Sequence, residues 1–142
     1  MTVVIFDASC LVPALVPEEG SRQSEQILDQ AAEWVVNPLT VAEVRIALVR
    51  KAHRKVLTWA EVDMALAHFE DLLGRGFFRV EGLVPADFDR APEAARRVPG
   101  LRTLDALHLV VALRLGVPMA TYDAGLAQAL TIFGHPVVTE HI

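Results

Sequence analysis

A chain of 142 residues builds one domain with a real core and not two, so residues 1–142 read as a single domain. Apolar residues make up 53% and the mean hydropathy is +0.36, high for a monomer, which points to some surface covered by a partner. A net charge of −5 argues against a nucleic-acid binder with a broad basic footprint, though a cation-holding acid cluster would also make the total negative; the lone Cys10 excludes an intramolecular disulfide and fits a reducing cytosol.

The chain opens on Val3-Val4-Ile5-Phe6, an apolar run that reads as a strand buried on both faces and stops at Asp7. No Lys or Arg precedes it, and Asp7, Pro13 and Pro17 interrupt the apolar start of the chain, so it does not read as a signal peptide. No other segment is long and apolar enough to span a bilayer, and a soluble, cytoplasmic protein without membrane contact is expected. Ser9 caps a short predicted helix over 9–15, limited by Pro13 and Pro17. A second helix is predicted over 20–32, with Ile27 and Leu28 inward, and a buried strand over 34–37, ended by Pro38. Thr40-x-x-Glu43 matches a capping box and starts a helix to about residue 54. Thr58-x-x-Glu61 is a second such box; its helix runs to about residue 73 with a core stripe of Trp59, Val62, Leu66, Phe69 and Leu73.

A third strand is predicted over 77–80. Residues 86–98 read as helical but broken or kinked at Pro92. Thr103 caps a helix that ends at Gly116, with Leu104, Leu107, Val111 and Leu115 inward. A strand over 118–122 ends at Asp123, a helix over 124–133 stops at Gly134, and the last strand covers 136–139. Strands alternating with helices predict an α/β fold, a parallel sheet covered on both faces.

Asp7, Glu43 and Asp123 each follow a buried strand, and Asp105 lies in the first turn after Thr103, so all four belong to one rim if that helix starts there. Two readings of each acid stand side by side. Helix N-termini favour acids as caps, and four carboxylates at one rim repel unless a cation binds them. With one Cys and scattered His there is no zinc spacing, so the fitting ion is a hard divalent cation with oxygen ligands. His108, one turn after Asp105, reads as a packed histidine paired with it. Arg45, Arg50, Lys51, His53, Arg54 and Lys55 crowd one helix end, either as a solvated basic face or as a hold on a phosphate backbone.

Val4-Ile5-Phe6-Asp7-Ala8-Ser9, Thr40-Val41-Ala42-Glu43-Val44, Leu104-Asp105-Ala106-Leu107-His108-Leu109 and Thr121-Tyr122-Asp123 occur in that order along nearly the whole chain. With these motifs the sequence resembles PIN domains, in particular the VapC toxin ribonucleases of type II toxin–antitoxin systems. The resemblance implies a three-layer α/β/α sandwich and a Mg²⁺- or Mn²⁺-dependent endoribonuclease leaving 5′-phosphate and 3′-hydroxyl ends. It places Asp7, Glu43, Asp105 and Asp123 in the catalytic, metal-holding quartet and Ser9 and Thr121 at positions where the family often has a hydroxyl beside it. It implies a homodimer and a small antitoxin over the acidic site. The basic helix end beside the acidic rim makes Arg50, Lys51, Arg54 and Lys55 candidate RNA contacts. Two alternatives remain. A haloacid-dehalogenase-type phosphatase also starts on a strand ending in Asp but needs a second Asp where this chain has Ser9; a PIN-like binding module would use the acids only as caps.

Overall fold

The computed structural model describes residues 2–139; residue 1 and residues 140–142, the ends of the predicted 1–142 span, lie outside them. Among the described residues five strands form: β1 (Val3–Phe6), β2 (Glu33–Val36), β3 (Phe78–Val80), β4 (Met119–Ala120) and β5 (Val137–Val138). They make one all-parallel sheet in the order β3-β2-β1-β4-β5, with Ile5 opposite Val35 on one side and Met119 on the other.

Strand side chains alternate between two cores, as the two-residue period of a strand requires. Val4, Phe6, Val36, Ala120 and Val138 pack under α1 (Ala8–Leu15), α2 (Ser21–Gln30), α3 (Pro38–His53) and α4 (Trp59–Gly74). Ile5, Val35 and Met119 pack on the opposite face under α5 (Pro85–Arg97), α6 (Thr103–Leu115) and α7 (Ala124–Ile132). The result is a three-layer α/β/α sandwich. Strand order runs outward from β1 to β3, then returns to β4 beside β1. The crevice at the carboxyl ends of β1 and β4 is therefore the switch point, where sheets of this kind put their ligands.

Several local expectations change. Ser9 does not cap α1: Asp7 is the N-cap residue and Ser9 lies inside the helix. α2 ends at Gln30, two residues early. Thr40-x-x-Glu43 is no capping box. Asn37 caps α3, its Oδ1 accepting the Thr40 N–H at 3.0 Å, and Pro38 takes the first helical position, which suits its fixed φ. This earlier start moves Glu43 into the second turn. Thr58-x-x-Glu61 is a box: Glu61 N–H donates to Thr58 Oγ1 at 3.1 Å, and Thr58 N–H to Glu61 Oε1 at 2.9 Å. Trp59 does not join the core stripe; it is 53% exposed, edge-on to His53. α5 is one helix with Pro92 inside it and is not split in two; most of it is exposed. α6 follows Arg102 without a side-chain cap, and Leu104 in its first turn is exposed rather than inward.

Candidate active site

Asp7 ends β1 and is almost wholly buried. Its Oδ2 accepts two hydroxyl bonds, from Ser9 Oγ at 2.7 Å and from Thr121 Oγ1 at 2.8 Å. Both hydroxyls are oriented in turn by backbone: Tyr122 N–H donates to Ser9 Oγ at 2.8 Å and Asp123 N–H to Thr121 Oγ1 at 3.0 Å. The chain leaving β4 thus locks the chain leaving β1, and neither hydrogen bond engages Oδ1.

Glu43 reaches the same rim from the second turn of α3. It meets the buried His108, whose Nε2 contacts Glu43 Oε1. One ligand-type atom each from Asp7, Glu43 and His108 lie within 4.8 Å of one another. Asp105, in the first turn of α6, and Asp123, at the N-cap of α7, are outside that tight group. They are joined to it by charge. Asp105 is held above the ordinary aspartate range by burial first and then by Asp123, with Asp7 and Glu43 adding and His108 opposing. Asp123 Oδ1 accepts the Leu126 N–H at 2.9 Å, and a Cβ at Gly125 would come within 3.3 Å of that same oxygen, so glycine keeps the space open.

His108 differs from its expected place. It pairs with Glu43 rather than Asp105: its Nε2 meets the Glu43 carboxylate, which reaches across from α3, and Asp105 acts on it as a nearby charge. Burial disfavours its charged form, whereas Glu43 and the other carboxylates favour it and carry the balance upward from the usual histidine value. Asn37 Nδ2 lies 3.1 Å from His108 Nδ1 and works against a proton there. Asn37 was not among the expected site residues; its signal was a polar residue between a buried strand and a proline.

A groove of about 530 Å³ runs from Ser9 and Glu43 past Ile46 and Leu104 to Arg50, Lys51 and Arg54. Lys51 is ion-paired with Glu18, and Lys55, of positive φ, is exposed and not among the groove-lining residues. Arg45 is engaged by Glu70, through two bonds of 2.6 and 2.9 Å.

The PIN domain family model matches residues 4–129. Ribonuclease VapC46 of Mycobacterium tuberculosis is 31% identical over 147 residues, spanning 97% of this chain and 98% of its own length. Ribonuclease VapC45 of the same species is 34% identical over 129 residues, spanning 89% and 88%. The crystal structure of M. tuberculosis VapC20, a sarcin-ricin loop cleaving toxin, shares the fold with a TM-score of 0.70 at 14% identity, over 89% of this chain and 94% of that one. The family model and the two relatives span most of the chain: the chain belongs to the PIN-domain family, among its VapC ribonucleases.

Proposed function

We propose that the chain is a Mg²⁺- or Mn²⁺-dependent endoribonuclease, the toxin of a type II toxin–antitoxin pair, acting in the cytoplasm as one domain over residues 1–142. The observation that carries this reading is the clamp on Asp7. Two buried or half-buried hydroxyls fix one of its carboxylate oxygens at the switch point, with Glu43 alongside. The donor set fits a hard cation. It is made of carboxylate oxygens; burial first and then the Asp123 charge hold Asp105 above the ordinary aspartate range, and a cation would relieve the repulsion among the acids. Asp7, Glu43, Asp105 and Asp123 are the residues that would hold it. Bound there, a divalent ion supplies an activated water and neutralises charge on the scissile phosphate. Ser9 and Thr121 keep Asp7 oriented, and no side chain need serve as nucleophile. Arg50 and Arg54 hold the phosphate backbone along the groove, with Lys51 and Lys55 as flanking charges.

The proposed partners are RNA, a second copy of the chain and a small antitoxin that covers the rim. Ile46 and Leu104, 51% and 45% exposed in the groove that holds Glu43, offer the antitoxin an apolar footing. The test is RNA cleavage by the purified protein with and without Mg²⁺ or Mn²⁺. Asp7→Asn and Glu43→Gln should each lower the rate about a hundredfold or more, while Glu61→Gln, which keeps its capping box, leaves it unchanged. Undiminished cleavage in EDTA sinks the metal requirement. An inert protein that binds no Mn²⁺ overturns the reading.

A further inference from the structure

We propose that His108 is a positioning residue and not a metal ligand: Asn37 sets its tautomer, and its Nε2–H then holds the Glu43 carboxylate beside Asp7. The reason lies in which atoms are able to donate. Asn37 Oδ1 accepts the Thr40 N–H that caps α3. A backbone N–H only donates, so the oxygen of this amide is identified, and the atom facing His108 Nδ1 at 3.1 Å is the amide nitrogen. That nitrogen has no lone pair to offer. Nδ1 must therefore accept, and the neutral ring carries its proton on Nε2. Nε2 faces a carboxylate oxygen of Glu43, which in its ionised form only accepts. Every link from the Thr40 N–H to Glu43 then has one donor and one acceptor.

The opposite tautomer fails at a named contact. A bare Nε2 able to bind a cation would put the proton on Nδ1, and two donors would face each other across 3.1 Å. Turning the Asn37 amide over removes that clash only by withdrawing the oxygen that caps α3. Neither group has room to move away: Asn37 is 0% exposed and His108 1% exposed, on a helix whose residues 106–112 are all buried. The cap of α3 and the carboxylate of α3 are thereby coupled through a ring on α6. Ligand-supporting histidines and carboxylates tune metal affinity by orientation, typically by a factor of ten to a hundred. That consequence rests on the proposed metal site; the tautomer does not.

The experiment has two independent arms. In metal-free, ¹⁵N-labelled protein, long-range ¹H–¹⁵N correlation spectra read the ring nitrogens of His108. At alkaline pH, where the ring is neutral, Nε2 should be protonated and Nδ1 bare, and saturating Mg²⁺ should leave both unchanged. A neutral ring with its proton on Nδ1 overturns the assignment, as does an Nε2 that loses its proton when Mg²⁺ is added. Asn37→Asp keeps a capping oxygen but exchanges the donor for an acceptor, and should move a proton onto Nδ1. In the second arm, Mn²⁺ affinity is measured by electron paramagnetic resonance. His108→Leu should weaken it about tenfold or more, and His108→Gln, whose amide can still donate to Glu43, should recover most of the loss. Equal affinity in wild type and His108→Leu overturns the positioning role. Asp7→Asn serves as the control for the site itself: if it binds Mn²⁺ like wild type, the metal reading fails while the spectra still decide the tautomer.

Discussion

Asp105 stands among three other carboxylates, and its carboxyl is held above the usual aspartate value by burial and then by Asp123, with Asp7 and Glu43 adding to it. A carboxyl whose folded-state pKa is raised binds its proton more tightly in the folded chain than in the unfolded one. Stability therefore falls as pH rises from the ordinary aspartate value of 3.8 through the folded value, and the charged form weakens the metal-free fold at neutral pH. Asp105→Asn should raise the melting temperature of the metal-free protein at pH 7, with the gain shrinking as pH falls toward 3.8, while RNA cleavage is lost. A variant that is both less stable at pH 7 and inactive would show Asp105 to be a structural residue. The same residue scale shows what a sequence conveys and what it does not. Thr40-x-x-Glu43 and Thr58-x-x-Glu61 are the same local pattern, yet only the second is a capping box. The difference lies upstream, where Asn37-Pro38 starts α3 three residues early. The place of Asp7 at the end of β1 was legible, because a carboxylate directly after a buried strand has few places to go. The Asn37–His108–Glu43 chain was not, since its members are 71 and 65 positions apart and no local spacing records the pairing.

At the scale of the elements, α5 and α6 are tied by Asp87 and Arg114. Asp87 is buried in the first turn of α5 and accepts the Val84 N–H at 2.9 Å. Arg114, near the end of α6, gives it two bonds of 2.9 and 3.1 Å and a third to Gly82 O at 3.1 Å. Burial alone would raise the Asp87 pKa; Arg114 and the Val84 N–H more than offset it and hold it below the ordinary value, and Arg114 is raised in return. The two partners are not equivalent. Removing Asp87 leaves an arginine side chain that is 24% exposed and can turn to water, whereas removing Arg114 strands a fully buried carboxylate. Arg114→Met should therefore cost about 3–5 kcal/mol at pH 7, and more than Asp87→Asn does. The pair's contribution is present above the unfolded aspartate pKa of 3.8 and is lost as pH falls through the depressed folded value, so the gap between wild type and Arg114→Met should close in acid. Urea unfolding at neutral and acid pH measures it, and a constant gap would assign the loss to packing of the arginine stem. Element type was readable from apolar periodicity and turn residues, but this bond joins residues 27 apart on two helices and has no local signature. Trp59 and Pro92 mislead for a related reason. Periodicity places a residue on a stripe without saying whether anything covers its end, and proline weakens a helix without forcing a surface one to break.

Across the whole molecule, the net charge of −5 conceals a division of labour. The sandwich itself arises from four-residue apolar runs that feed two cores at once: Val4 and Phe6 face one side and Ile5 the other. What composition cannot express is where the remaining charge gathers. Of the basic residues crowded at the end of α3, Arg45 is bound to Glu70 and Lys51 to Glu18, while Lys55 lies outside the groove lining. His53 packs against Trp59, and Arg50 and Arg54 remain, lining the same groove as Glu43 and Ser9. A phosphate chain laid along that groove meets two arginines at one end and the acidic rim at the other. Phosphate contacts release counterions, and for single-stranded nucleic acid each one steepens the fall of log K against log salt by about 0.7. Changing Arg50 and Arg54 together to Gln should flatten that slope by about 1.4 and weaken RNA binding most at low salt. Lys55→Gln should leave the slope as it is, and Lys51→Gln should change it less than either arginine does, because Glu18 already balances that charge. Titrations of an Asp7→Asn protein, which holds RNA without cutting it, over a series of salt concentrations make the comparison directly. Equal slopes in wild type and the double arginine variant would return this helix end to a solvated basic face, and a flattening by Lys55→Gln alone would move the RNA path to the outside of the helix.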